Sequence, residues 1–255
     1  MSQTPTTVAF FVTCLVDLFR PRVGFSAVRL LEEAGCAVEV PALQTCCGQP
    51  AYNAGDRSNA RALALQTVAA FDGFSYVVVP SGSCAGMIRN HYPQLLSDDP
   101  DDQKKAVSLA NRTWELTAFL VDVMGCESVS ASYSGTVTYH DSCSCLREVG
   151  TKQQPRRLLQ SVAGLRFEES PSGDVCCGFG GTFSVKYAPI SIEMVDRKTD
   201  ALTSGAAEMI VGADLGCLLN IAGRLRRAEN PTAVRHIAEL LAGDLDGPAI
   251  GEGSE

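Results

Sequence analysis

The chain has 255 residues, 45% of them hydrophobic, which is enough for a buried core in one large domain or two smaller ones. A formal net charge of −8 leaves no basic footprint for nucleic acid or an anionic membrane surface. The opening MSQTPTTVAFFVTC has neither a basic segment nor a cleavage pattern, and the chain has no long unbroken apolar run. No leader and no membrane span are therefore expected, and the expected compartment is the cytoplasm, where thiols stay reduced.

Strand and helix patterns alternate along the chain. Val8 to Thr13 reads as a buried strand, Val23 to Ala34 as a helix capped by Gly35, and Ala37 to Val40 as a second strand. A helix over 56–71 and a strand over 76–79 follow. SDDPDDQ, from Asp98 to Gln103, reads as a solvated loop, and Lys104 to Met124 as one long helix with Trp114 in the core. The second half predicts strands at 137–139, 165–167 and 209–211. Its helices fall at 155–162, at 190–203, after Cys217 and after Pro231, and the segment from Gly243 reads as a frayed tail. Such alternation implies parallel sheets covered on both faces. The expected fold is α/β, with two duplicated Rossmann-like halves, 1–130 and 131–255, related by a pseudo-twofold axis.

Eleven cysteines in a reducing compartment point to metal or redox work rather than disulfides. Eight of them repeat. Cys14, the pair Cys46–Cys47 and Cys84 are spaced C-x31-CC-x36-C. Cys143, the pair Cys176–Cys177 and Cys217 are spaced C-x32-CC-x39-C. The offset between corresponding cysteines is nearly constant, and the flanks repeat too. TVAFFVTC matches TVTYHDSC, YVVVPSGSC matches MIVGADLGC, and WELTAFL echoes HIAELLA. These are the marks of a duplicated domain.

The repeated cysteines fall at or just past predicted strand ends. Parallel sheets open the carboxyl ends of their strands on one edge, so four sulfurs should converge in each half. Four thiolates crowd together only around bound cations. Adjacent residues, about 3.8 Å apart at Cα, are too close for an ordinary disulfide but suit two separate ligands. The glycine after each pair lets the backbone turn and aim N–H groups at sulfur. Cys84 and Cys217 should open helices, where the dipole favours a thiolate.

Cys36, Cys126 and Cys145 lie outside the repeat and read as buried structural thiols. His140 and Asp141 precede Cys143, where the first half has Phe11 and Val12. They read either as a hydrogen-bonded strand end or as groups that orient a ligand or relay a proton. GFGG, from Gly178 to Gly181, lacks the full dinucleotide fingerprint. RLRR, from Arg224 to Arg227, reads as cations at a helix C-terminus.

The duplicated CCG pattern, with HDSCSCLREVG, DVCCGFGGTFSVKY and GADLGCLLNIAGRL, resembles the CCG cysteine-rich-domain iron–sulfur proteins. That family includes the CCG-bearing component of heterodisulfide reductase and the iron–sulfur subunit of glycolate oxidase, and the likeness is strongest to its lactate-utilization branch. The resemblance implies a non-catalytic electron-transfer subunit of an L-lactate-oxidising system that makes pyruvate, with iron–sulfur and accessory partners of B and C type. It implies Cys14, Cys46, Cys47, Cys84, Cys143, Cys176, Cys177 and Cys217 as cofactor ligands. Ser81 and Asp214 stand where the heterodisulfide reductase component has a fifth cysteine, which puts its noncubane clusters in doubt here. Four cysteines per half suit at most one 4Fe–4S cluster each, or a zinc ion in one half. The alternatives are a zinc-stabilised assembly module and a thiol/disulfide reductase subunit.

Overall fold

A computed structural model describes residues 5–171 and 173–253. The chain divides into two compact units between Cys126 and Glu127. The first holds strands β1 (Thr6–Phe10), β2 (Cys36–Glu39), β3 (Val77–Val79) and β4 (Thr113–Glu115), all parallel, in the order β2-β1-β3-β4. The second holds β5 (Ser132–His140), β6 (Ala163–Glu168), β7 (Met209–Gly212) and β8 (Ala233–His236), again all parallel, in the order β6-β5-β7-β8. Two four-stranded parallel sheets with interleaved helices are the expected α/β, Rossmann-like arrangement.

Central strands covered on both faces read as unbroken apolar runs. Val77, Val78 and Val79 are all buried, as are Met209, Ile210 and Val211. Val23, Ala27, Leu30 and Leu31 on helix Pro21–Glu33 make one buried stripe at helical spacing. Full burial of each leucine is worth about 1.5–3 kcal/mol.

The strand order sets the site. β1 and β3 are neighbours although β2 lies between them in sequence, so the connections leave β1 in opposite directions. Such a switch point opens a crevice at the carboxyl ends of the two strands. Cys14 follows β1 and Cys84 follows β3, while Cys46 and Cys47 lie in the loop after β2. In the second unit Cys143 follows β5, Cys217 follows β7, and Cys176 and Cys177 lie between β6 and helix Phe183–Lys186.

Several expectations are corrected. The long helix over 104–124 is instead helix Pro100–Asn111, strand β4 and a short helical segment from Leu116 to Val123. Trp114 therefore lies on a strand, half-buried, with Arg89 5.9 Å from its ring centroid. The segment after Pro231 opens with β8 before helix Ile237–Leu241. Glu115 and His236 are the N-caps after β4 and β8, so the repeat aligns one residue away from the Trp114–His236 match. Asp99 caps helix Pro100–Asn111 by accepting from Asp101 N and Asp102 N, so the acidic run is an exposed helix start rather than a loop. The segment from Gly243 packs back on its own unit: Ala249 and Ile250 are buried, and Ile250 N donates to Val234 O at 2.8 Å. Its last residues, 254 and 255, lie outside the described residues.

Candidate metal centres

In the first unit the four repeated cysteines come together. Cys14 Sγ lies 3.6 Å from Cys46 Sγ, and Cys47 Sγ lies 3.3 Å from Cys84 Sγ. The Cys46 and Cys47 thiols also interact, so the four sulfurs form a continuous string. Among the described residues, no three of these sulfurs lie mutually within 4.8 Å. Cys14 and Cys46 are half-buried at the rim, while Cys47 and Cys84 are buried behind them.

The local backbone explains the placement. Gln44 ties the Cys46 loop to the end of β1: its Oε1 accepts from Val12 N at 2.7 Å and its Nε2 donates to Phe10 O at 3.0 Å. Gly48 turns the loop at φ 82° and donates its N–H to Cys46 Sγ at 3.4 Å. The Tyr92 hydroxyl, fully buried, donates to Cys47 O at 2.8 Å. Ser81 Oγ accepts from Cys84 N at 3.3 Å and caps the helix that carries Cys84. Thr13, just before Cys14, has φ 73° and ψ 145°, a conformation that a β-branched residue rarely adopts.

The second unit repeats the device with other side chains. The thiols of Cys143 and Cys176, of Cys176 and Cys177, and of Cys177 and Cys217 interact in turn. Gly178 has φ 76° and donates to Cys176 Sγ at 3.4 Å. A Cβ there would stand 2.7 Å from Ser191 O, so only glycine fits. Asn220 Nδ2 replaces the tyrosine hydroxyl and donates to Cys177 O at 2.8 Å. Cys217 lies in the first turn of the thirteen-residue helix Leu215–Arg227, where the dipole favours negative charge.

All eight cysteines of the sequence repeat are thus gathered, four per unit. Of the other three, Cys36 and Cys145 are buried as expected, whereas Cys126 is half-buried. Cys36 Sγ meets Met124 Sδ at 3.7 Å, and Cys145 Sγ lies 4.0 Å from Asp214 Oδ2. The RLRR cations engage their own unit, with Arg224 on Asp196 and Arg226 on Gly251 O.

The second centre has charged and ionisable neighbours of its own. Arg156 clamps Asp141 through both guanidinium ends, at 2.9 and 2.7 Å, and also binds Glu169. Lys198 is buried and donates to Gly173 O at 2.8 Å. His140 is fully buried, and one of its ring nitrogens and the sulfurs of Cys177 and Cys217 lie within 4.8 Å of one another. Gln44, Tyr92, Asn220 and Arg156 are not singled out by any sequence motif. The only local signal is for Asn220, three residues after Cys217 on the same helix face.

The thiols share protons unequally. Hydrogen bonds from Cys14 and then Cys47, with the Gly48 N–H, pull Cys46 down to about 3, while Cys14 is pushed up. Cys143, Cys177 and the Gly178 N–H likewise pull Cys176 down to about 2, and Cys143 is pushed up. The metal-free chain therefore holds a thiolate at Cys46 and at Cys176 at neutral pH. Iodoacetamide should modify these two first, at a rate nearly flat from about pH 5 to 8, where an ordinary thiol with a pKa near 8.5 speeds up about tenfold per unit. Mass-spectrometric mapping checks this. A rate that climbs steeply with pH at either residue contradicts it.

The comparisons with known proteins agree with this geometry. The cysteine-rich domain family CCG matches residues 8–89 and again residues 137–222. Lactate utilization protein A of Geobacillus kaustophilus is 51% identical over 234 residues, covering 92% of this chain and 98% of that protein. Lactate utilization protein A of Bacillus subtilis is 49% identical over 234 residues, with the same coverage of 92% and 98%. A solved structure of a hypothetical protein from Helicobacter pylori covers 99% of this chain at a TM-score of 0.63 and 11% identity, a likeness of fold alone. The chain spans half the length of that structure, 50% of it.

Proposed function

The chain belongs to the CCG cysteine-rich domain family, with two copies of its unit, and from that premise we propose that it is an iron–sulfur electron-transfer subunit of a lactate-oxidising system. The relatives' name supplies the pathway. Oxidation of lactate to pyruvate releases an electron pair, which a carrier must pass on. Partners of B and C type would supply the remaining parts. No described helix is long and apolar enough to cross a membrane.

The observation that carries the reading is the string of four sulfurs in each unit. The donor set fits the group: thiols at 3.3 to 3.6 Å in the first unit and their counterparts in the second, with backbone N–H groups on Cys46 and Cys176, could not all ionise without cations between them. A single tetrahedral zinc with bonds of about 2.3 Å needs every sulfur pair about 3.8 Å apart. The open string in the first unit suits a larger group. Cys14, Cys46, Cys47 and Cys84 would hold one 4Fe–4S cluster, and Cys143, Cys176, Cys177 and Cys217 another. When bound, such a cluster takes up and releases single electrons. The protein sets its surroundings: Gly48 and Gly178 give N–H bonds to sulfur, Tyr92 and Asn220 fix the paired-cysteine loops, and Cys47 and Cys177 keep one side dry.

Anaerobic purification with iron, sulfide and zinc analysis tests this. About four iron and four sulfide per occupied unit are expected, with an EPR signal on reduction. Zinc without iron or sulfide would instead favour the assembly-module reading.

A further inference from the structure

We propose that the two centres differ in kind, and that the second takes a nitrogen ligand from His140 beside the sulfurs of Cys177 and Cys217. This rests on the reading that the second unit holds metal.

His140 ends β5, in register with Gly212 on β7. A Cβ on residue 212 would stand 3.2 Å from both His140 O and Leu218 Cδ2, so glycine lets β7 lie close against the end of β5. The imidazole is fully buried, and neither ring nitrogen has a hydrogen-bond partner. A buried polar group left unpaired is costly, and native structures rarely carry one. The nearby metal-binding atoms give this one a reason: a ring nitrogen and the two sulfurs lie mutually within 4.8 Å, the only such group among the described residues.

The first unit makes the contrast. Phe11 takes the corresponding place, fully buried, with its ring centroid 5.4 Å from that of Phe71. It offers no donor atom. Duplication has thus left one all-sulfur pocket and one mixed pocket. A neutral imidazole in place of a thiolate makes the second centre less negative. Histidine ligation in Rieske centres raises the potential for the same reason.

Cobalt(II) titration of the metal-free full-length chain, under anaerobic reducing conditions, tests the donor set independently of the native metal. Cobalt taken up by the second unit should show ligand-field bands at shorter wavelength than an all-sulfur site, and any cobalt taken up by the first unit should show an all-sulfur spectrum. Proton NMR of the same sample should carry strongly shifted imidazole resonances from one histidine. In His140→Phe, which copies the first unit, those resonances vanish. Affinity at one of the two sites falls by about a hundredfold or more. The wild-type NMR spectrum decides the matter even if the variant folds poorly. Two all-sulfur sites with no shifted imidazole overturn the role of His140 alone. Failure of the second unit to take cobalt at all overturns both this inference and the metal reading of that unit.

Discussion

A Cys177→Ala chain should retain the metal of its first unit and lose that of its second, and Cys47→Ala should do the reverse. Both cysteines are 2% exposed, and each bonds two other thiols at its centre. Removing either takes away the innermost sulfur of its centre and breaks the string of thiols on both sides of it. Each unit closes its own sheet, so loss at one centre should not spread to the other. The effect is large because structural metal sites contribute folding energy directly, about 10–16 kcal/mol in zinc-finger peptides. Metal content should fall to about half of wild type in each single variant and to nothing in the double. Equal partial loss from both centres in either variant would contradict the assignment.

Arg156→Leu should destabilise the second unit by about 3–5 kcal/mol, the cost of leaving a buried charge without its partner. The Asp141 side chain is 3% exposed and receives both guanidinium ends. Arg156→Lys should recover only part of the loss, since an ammonium cannot span two carboxylate oxygens in one plane. Asp141→Leu combined with Arg156→Leu should cost less than Arg156→Leu alone, because no unpaired charge remains. Amide exchange in β5 and β7 would speed up by about two to three and a half orders of magnitude, at about 1.4 kcal/mol per tenfold. Trp114, the single tryptophan, is on β4 and should report an unchanged first unit. The network also has a pH signature. Hydrogen bonds from Arg156 hold the Glu169 carboxyl below its usual value near 4.3. That contribution is complete above the usual value and is lost as the pH falls through the lowered one. Unchanged exchange in Arg156→Leu would remove Arg156 from this role.

The cysteine framework was legible because duplication wrote it twice, and strand ends in a parallel sheet share an edge. The fourth strand of each unit was not. Thr113 to Glu115 is a three-residue strand, and Leu116 onward continues an apolar spacing that fits a helix. β8 has four residues and runs straight into its own helix. Strands this short lack enough residues for a period to declare itself, and their neighbours in the sheet decide their state. Long-range partners were equally hidden. Tyr92 reaches Cys47 across 45 residues and Arg156 reaches Asp141 across 15, distances that only packing closes. His140 stands out in the sequence as a polar residue before a cysteine, but its isolation became visible only with β5 laid against β7.

Thr13 bears on how the first centre is assembled. Its positive φ sits at the hinge that presents Cys14, and such a conformation costs about 1–3 kcal/mol. The Thr13 hydroxyl, which accepts from Val16 N, is one restraint on this turn, and a group bound at Cys14 would be another. Emptying the pocket removes one of those restraints, so this turn should be the first to relax and the natural doorway through which a cofactor is loaded.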